Sequence, residues 1–251
     1  MKIYVIIIYR VWRVDSMNIF LDAIKELLNN KELEYIDTSD TDYISSWKSS
    51  IKILNDEGYE QFTIMDIVSD LKDSKYLKYY NNYLKSVNYD LLLNGNIHGI
   101  PHIVRSSIYT LIICLYEKVD LDYFNIILDC IFYHDIGRVN DIDDIYHGYN
   151  AIEKISFLKN RYLDDSFDII KFVITSHCVD DDKFDKMLDY FKIKDKNLAL
   201  KIVSIIKDAD ALDRVREYPY LGIGYLRVES AKKMVDFSYK FFKSLKLKGC
   251  I

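Results

Sequence analysis

The sequence predicts a mainly α-helical protein, and three observations predict it. Among 251 residues there are 8 Gly and 2 Pro, too little punctuation for the many tight turns of a short-stranded sandwich. Apolar residues recur at helical spacing in several long segments. Hydrophobic residues make up 50% and charged residues 29%, which describes a folded chain with a sizeable core rather than a disordered one. The 22 Tyr accompany a general Ile/Lys/Asn/Asp bias of the kind AT-rich codons produce, and carry no functional weight.

The elements follow in order. "MKIYVIIIYRVWR" has a short apolar run followed by Arg10 and Arg13 and no small-residue cleavage site. It is too short to span a bilayer and unlike a secretory signal, so a strand or buried helix start and a cytoplasmic protein are expected. Met17 stands as an alternative start. Ile19, Phe20, Ala23, Ile24, Leu27 and Leu28 keep helical spacing between Asn18 and Asn30. "SSWKSSIKILNDEGYEQF" and "SDLKDSKYLKYYNNYLKSV" predict two shorter helices, the second starting at Ser69 or Asp70.

After Gly99 the pattern strengthens. One helix begins near Pro101 and carries Ile103, Val104, Ile108, Leu111, Ile112 and Leu115. The next holds Phe124, Ile127, Leu128 and Ile131 and runs into His134 and Asp135. A third follows Gly148, and a fourth, capped by Ser166, ends at His177. From Asn197 a fifth carries Leu198, Ile202, Ile205, Ile206 and Ala209 into Asp210, and "ESAKKMVDFSYKFFKSL" predicts a closing helix. The expected organisation is an N-terminal extension (1–97), a catalytic-looking core (98–217) and a C-terminal segment packing on it (218–251).

The net charge of -5 argues against a general nucleic-acid binder, whose affinity comes from neutralised phosphates, but leaves room for a local basic pocket. Cys114, Cys130, Cys178 and Cys250 form no C-x-x-C pair and are read as free thiols.

All five histidines, His98, His102, His134, His147 and His177, fall between positions 98 and 177, and four of them stand at the edge of an apolar helical pattern. Burying His134 beside Asp135 is costly unless something pairs with them or ligates them. In a helical domain, helix ends converging on one side bring such side chains together. Imidazole with carboxylate suits first-row divalent metals.

The stretches "HIVRS" at 102, "HDIGR" at 134, "HGYNA" at 147, "TSHC" at 175 and "DADALD" at 208 resemble the HD-domain superfamily of metal-dependent phosphohydrolases, over about half of the chain. The resemblance implies an HD-domain-type helical bundle with additional N- and C-terminal helical segments. It implies a first metal held by His102, His134, Asp135 and Asp210, with Asp208 and Asp213 as supporting or surface groups. It further implies a second metal at His147 and His177 bridged by Asp135, the alternative being a single ion with these two histidines facing substrate. His98, in the family-like "HGIPH" entry, is expected as a pocket residue and proton donor. Arg105, Arg138, Lys207 and Arg214 are the expected phosphate-binding residues, Arg138 foremost because it directly follows "HDIG".

The expected cofactor is one or two divalent ions: manganese, iron, cobalt, nickel or zinc, with magnesium allowed. The implied activity is hydrolysis of nucleotides or related small phosphoesters by metal-activated water, with neither a G-x-S-x-G nor a P-loop pattern suggesting another route. Two other classes stay open, a nuclease on single-stranded nucleic acid and a non-catalytic HD module that senses a ligand. No membrane partner is expected, and the oligomeric state is left open.

Overall fold

The computed structural model describes residues 41–95, 97–162, 165–216 and 221–247, and every regular element among them is helical. The expectations for residues 1–13 and for Asn18 to Asn30 lie outside the described residues. Val87–Asp210 form one compact unit, and the described residues before and after it form another. No helix among the described residues is long and apolar enough to cross a membrane.

Among the described residues the first three helices are α1 (Thr41–Asp56), α2 (Ile64–Lys72) and α3 (Lys75–Leu84). Where a single helix starting at Ser69 or Asp70 was expected, there are two. Thr63 caps α2 in a reciprocal capping box with Asp66, and the Ser74 hydroxyl accepts from the Leu77 amide at the head of α3. Ser69 and Asp70 therefore sit inside α2.

The unit Val87–Asp210 contains α4 (Ile100–Tyr116), α5 (Leu121–Tyr133), α6 (His147–Lys154), α7 (Ser166–Ser176), α8 (Phe184–Tyr190) and most of α9 (Lys196–Leu212). Helix α4 packs on α5, α5 on α7, and α7 on both α6 and α8. From His102 to Cys114, α4 is buried on nearly every face, the mark of a central helix. Two of its hydroxyls are satisfied within the helix: Ser107 donates to the Val104 carbonyl and Thr110 to the Ser106 carbonyl. Pro101 sits in the first turn, as expected. Ser166 is the first helical residue of α7 rather than its cap, because the chain turns at Asp165. With so few glycines, two lysines take the left-handed conformation, Lys118 (φ 49°) just after α4 and Lys192 (φ 56°) after α8.

The rest of the chain supplies α10 (Glu229–Lys232) and α11 (Val235–Leu247), so the expected closing helix is broken. The carbonyls at the break turn outward: Lys232 accepts from the Gln61 side chain and Lys233 from the Phe62 amide, while Gln61 Oε1 accepts from the Asp236 amide. Helix α11 packs on α1, where Trp47 and Tyr239 meet with ring centroids 5.7 Å apart.

Candidate metal centre

Five helices each deliver a side chain from one end. His102 lies in the first turn of α4, His134 is the C-cap of α5 with Asp135 directly after it, and His147 is the first residue of α6. His177 is the C-cap of α7, and Asp210 lies near the end of α9. Two glycines allow the close approach. A Cβ at Gly137 would stand 1.8 Å from the His147 carbonyl oxygen, and one at Gly148 would stand 2.8 Å from the Ile174 carbonyl oxygen. Only the bare backbone lets the head of α6 sit against both the His-Asp turn and the end of α7.

The six side chains form two groups sharing one carboxylate. In the first, His102 Nε2 lies 3.2 Å from His134 Nε2 and 3.3 Å from Asp210 Oδ1. Asp135 Oδ2 faces this group, 3.5 Å from His134 Nε2 and 3.7 Å from His102 Nε2. In the second, His147 Nε2 and His177 Nε2 are 2.8 Å apart, with Asp135 Oδ1 at 3.2 and 3.6 Å from them. Neighbouring donors about 2.0–2.2 Å from one ion stand roughly 3 to 3.5 Å apart, so both groups have near-ligand spacing. Except for Asp210, with 20% of its side chain exposed, these residues are buried. Buried His/Asp groups of this kind can hold a metal ion.

Hydrogen bonding fixes which nitrogen faces inward. His134 Nδ1 donates to the Ile131 carbonyl (2.8 Å), His177 Nδ1 to the Ile174 carbonyl (2.6 Å), and His147 Nδ1 to the Asp144 carbonyl. A carbonyl only accepts, so in each ring Nδ1 carries the proton and Nε2 of the neutral imidazole is a lone pair. Backbone carbonyls orient metal-bound histidines in the same way. Two such lone pairs face each other stably only with a proton or a cation between them.

Electrostatics follow from this crowding. Burial brings His134 down to about 4, so its ring is neutral. Burial alone would raise the Asp135 carboxyl, but His134 and hydrogen bonds from His147 and His177 hold it well below the usual range. Asp210 is held low in the same way by His102 and His134, against burial. Burial would lower His147, yet the Asp135 carboxylate, Cys178 and the Asp144 carbonyl push it up to about 10. The metal-free cluster therefore holds a proton on His147 at neutral pH.

The other expected residues are placed as follows. Arg138 Nε donates to Asp135 Oδ1 at 2.8 Å. The His98 ring is 6.0 Å from that of His102 and its Nδ1 is 3.5 Å from Asp141 Oδ1. Arg105 is buried within α4. Lys207 Nζ is engaged by the Val179 carbonyl and the Asp181 carboxylate (2.8 Å). Arg214 is exposed and belongs to the other unit. Asp208 and Asp213 are fully buried, so neither is a surface group.

One further residue at the cluster was not among the expected site residues. Cys178 joins His147 and His177 in a group of closely spaced donor atoms. Burial would raise its thiol, but the His147 hydrogen bond and the two imidazoles bring it to about 7. The available signal was its position beside His177 at a helix end. Comparisons of the chain with protein-family models, curated proteins and solved structures find no match.

Proposed function

We propose that this protein is a metal-dependent phosphohydrolase of the HD-domain type, acting on nucleotides or related small phosphoesters. One observation carries the reading: Asp135 turns one oxygen toward the His102, His134 and Asp210 group and the other toward His147 and His177. That is the arrangement of a carboxylate shared between two ions. Ions bound there would lower the pKa of water and polarise a phosphoryl oxygen.

The chain's own residues supply the rest. Carbonyls at Ile131, Asp144 and Ile174 lock the imidazoles for ligation. Arg138 holds Asp135 in place and carries positive charge beside it. His98, next to His102, is the proton donor for a leaving oxygen. A small substrate is favoured over a nucleic acid because Asp141, Asp143 and Asp144 lie between Arg138 and His147. A polyanion would meet these carboxylates, which weaken its attraction to the positive charge of Arg138.

The test is release of phosphate or pyrophosphate from a nucleotide panel, beside single-stranded oligonucleotides, with and without manganese. The expected result is metal-dependent nucleotide hydrolysis lost in Asp135→Ala. Cleavage of oligonucleotides alone would make the protein a nuclease. Nucleotide binding without turnover would make it a sensing module.

A further inference from the structure

We propose that Cys178 is a metal ligand. With His147 and His177 it forms an end of the cluster that takes zinc or cobalt in preference to manganese or magnesium. This rests on the metal-binding reading above and adds a donor which that reading does not use.

The donor atoms of His147, His177 and Cys178 all lie within 4.8 Å of one another. An ion with two nitrogens at about 2.0–2.1 Å and a sulfur at about 2.3 Å spaces its donors roughly 3.3 to 3.6 Å apart, so the imidazole pair would open slightly and the thiol close on it by up to about 1.5 Å. Asp135 Oδ1 faces the same two imidazoles, 3.2 Å from His147 Nε2 and 3.6 Å from His177 Nε2. The thiol is also set apart from the other two cysteines among the described residues. Cys114 and Cys130 are buried in the interiors of α4 and α5, whereas Cys178 follows α7 and is partly exposed, within reach of an entering ion. Its contacts with backbone are long, 3.6 Å to the Thr175 carbonyl and 3.9 Å to that of Ile145. A side chain at Gly148 would crowd it, since a Cβ there would stand 3.1 Å from Sγ.

The chemistry of selection follows from the donor set. Thiolate ligands favour zinc and the softer first-row ions, while oxygen-rich sites suit manganese and magnesium. On ligation the thiol gives its proton to solvent and the sulfur lone pair enters the coordination sphere. No oxidant or reductant is involved. The first group, with two imidazoles and carboxylate oxygens alone, lacks this preference, so the two ends of the cluster would differ in metal.

Cobalt(II) titration of the full-length, chelator-treated chain tests the proposal through absorption rather than activity. The expected result is a near-ultraviolet thiolate-to-cobalt charge-transfer band. In Cys178→Ser the band should be lost and the weaker-held zinc equivalent should bind roughly tenfold less tightly or worse. Cobalt bound without such a band in the wild-type chain overturns the assignment of Cys178 and leaves the His/Asp reading intact. A band that survives in Cys178→Ser overturns it equally. No cobalt bound at all overturns both. The presence or absence of the band in the wild-type chain decides between these outcomes even if the variant folds poorly.

Discussion

Changing the pH should separate the two metal positions, because they differ in the protons an ion must displace. In the metal-free chain His147 is pushed up to about 10 by Asp135 and its other partners, against burial, and so is protonated at neutral pH. An ion entering beside His147 and His177 must expel that proton. Its affinity should therefore rise about tenfold per pH unit from neutrality until His147 has titrated. In the first group His134 is already neutral, held down to about 4 by burial, and Asp135 and Asp210 are already ionised. None of the three has a proton to give. Isothermal titration calorimetry in buffers of different ionisation enthalpy counts the protons directly. The expected result is about one to two protons more for the second equivalent than for the first, one from His147 and up to one from the Cys178 thiol. Equal release for both equivalents, with affinities flat across the neutral range, would refute the assignment of His147 as a ligand.

Three further outcomes follow. Gly137→Ala puts a Cβ 1.8 Å from the His147 carbonyl. It should drive α6 away, cost about 1–3 kcal/mol in denaturant unfolding and lower metal stoichiometry by about one. Tyr162→Phe removes the hydroxyl that donates to the buried Asp129 carboxylate at 2.5 Å. It should destabilise by about 1–3 kcal/mol with metal content unchanged, and a loss of metal would mean that this network supports the site. The melting temperature of the chelator-treated chain should fall as the pH drops below the ordinary histidine value, 6.5. Below it the unfolded chain takes up a proton that buried His134 refuses, and the lowered carboxyls of Asp135 and Asp210 add to the acid loss. Above it the unfolded chain gives up a proton that His147 keeps toward about 10. Between about 7 and 9, however, the native chain gives up the Cys178 thiol proton early, so the alkaline loss falls mainly above about 9. A melting temperature flat from about 5 to about 9 would contradict these assignments.

The helices that carry the cluster were legible because their cores are strongly periodic. Ile202, Ile206 and Asp210 share a face of α9, and the apolar run of α5 ends on His134 as the sequence indicates. Boundaries were less legible where capping chemistry decides them. Thr63 with Asp66 is a short-range signal that was there to read, whereas Ser69 and Asp70 are polar residues on an exposed helix face. The break between α10 and α11 depends on Gln61 and Phe62, 171 residues away for the Gln61–Lys232 pair, and no local pattern encodes it. Candidate ligands were legible because His and Asp at helix ends are conspicuous. The cations were not: sequence position cannot tell that Arg105 is buried in a central helix or that Lys207 is held by Asp181. Cys178 was passed over because a cysteine next to a helical segment is usually only a small apolar residue.

The metal content of the purified full-length chain, measured by elemental analysis beside Asp135→Ala and His147→Ala, tests the central claim most directly. The six converging side chains predict roughly one to two equivalents in the wild type, about one fewer in His147→Ala and essentially none in Asp135→Ala, whose carboxylate faces both groups. No metal in the wild-type chain, and none taken up when manganese, iron, cobalt, nickel or zinc is added, would contradict the account. So would full metal content in Asp135→Ala.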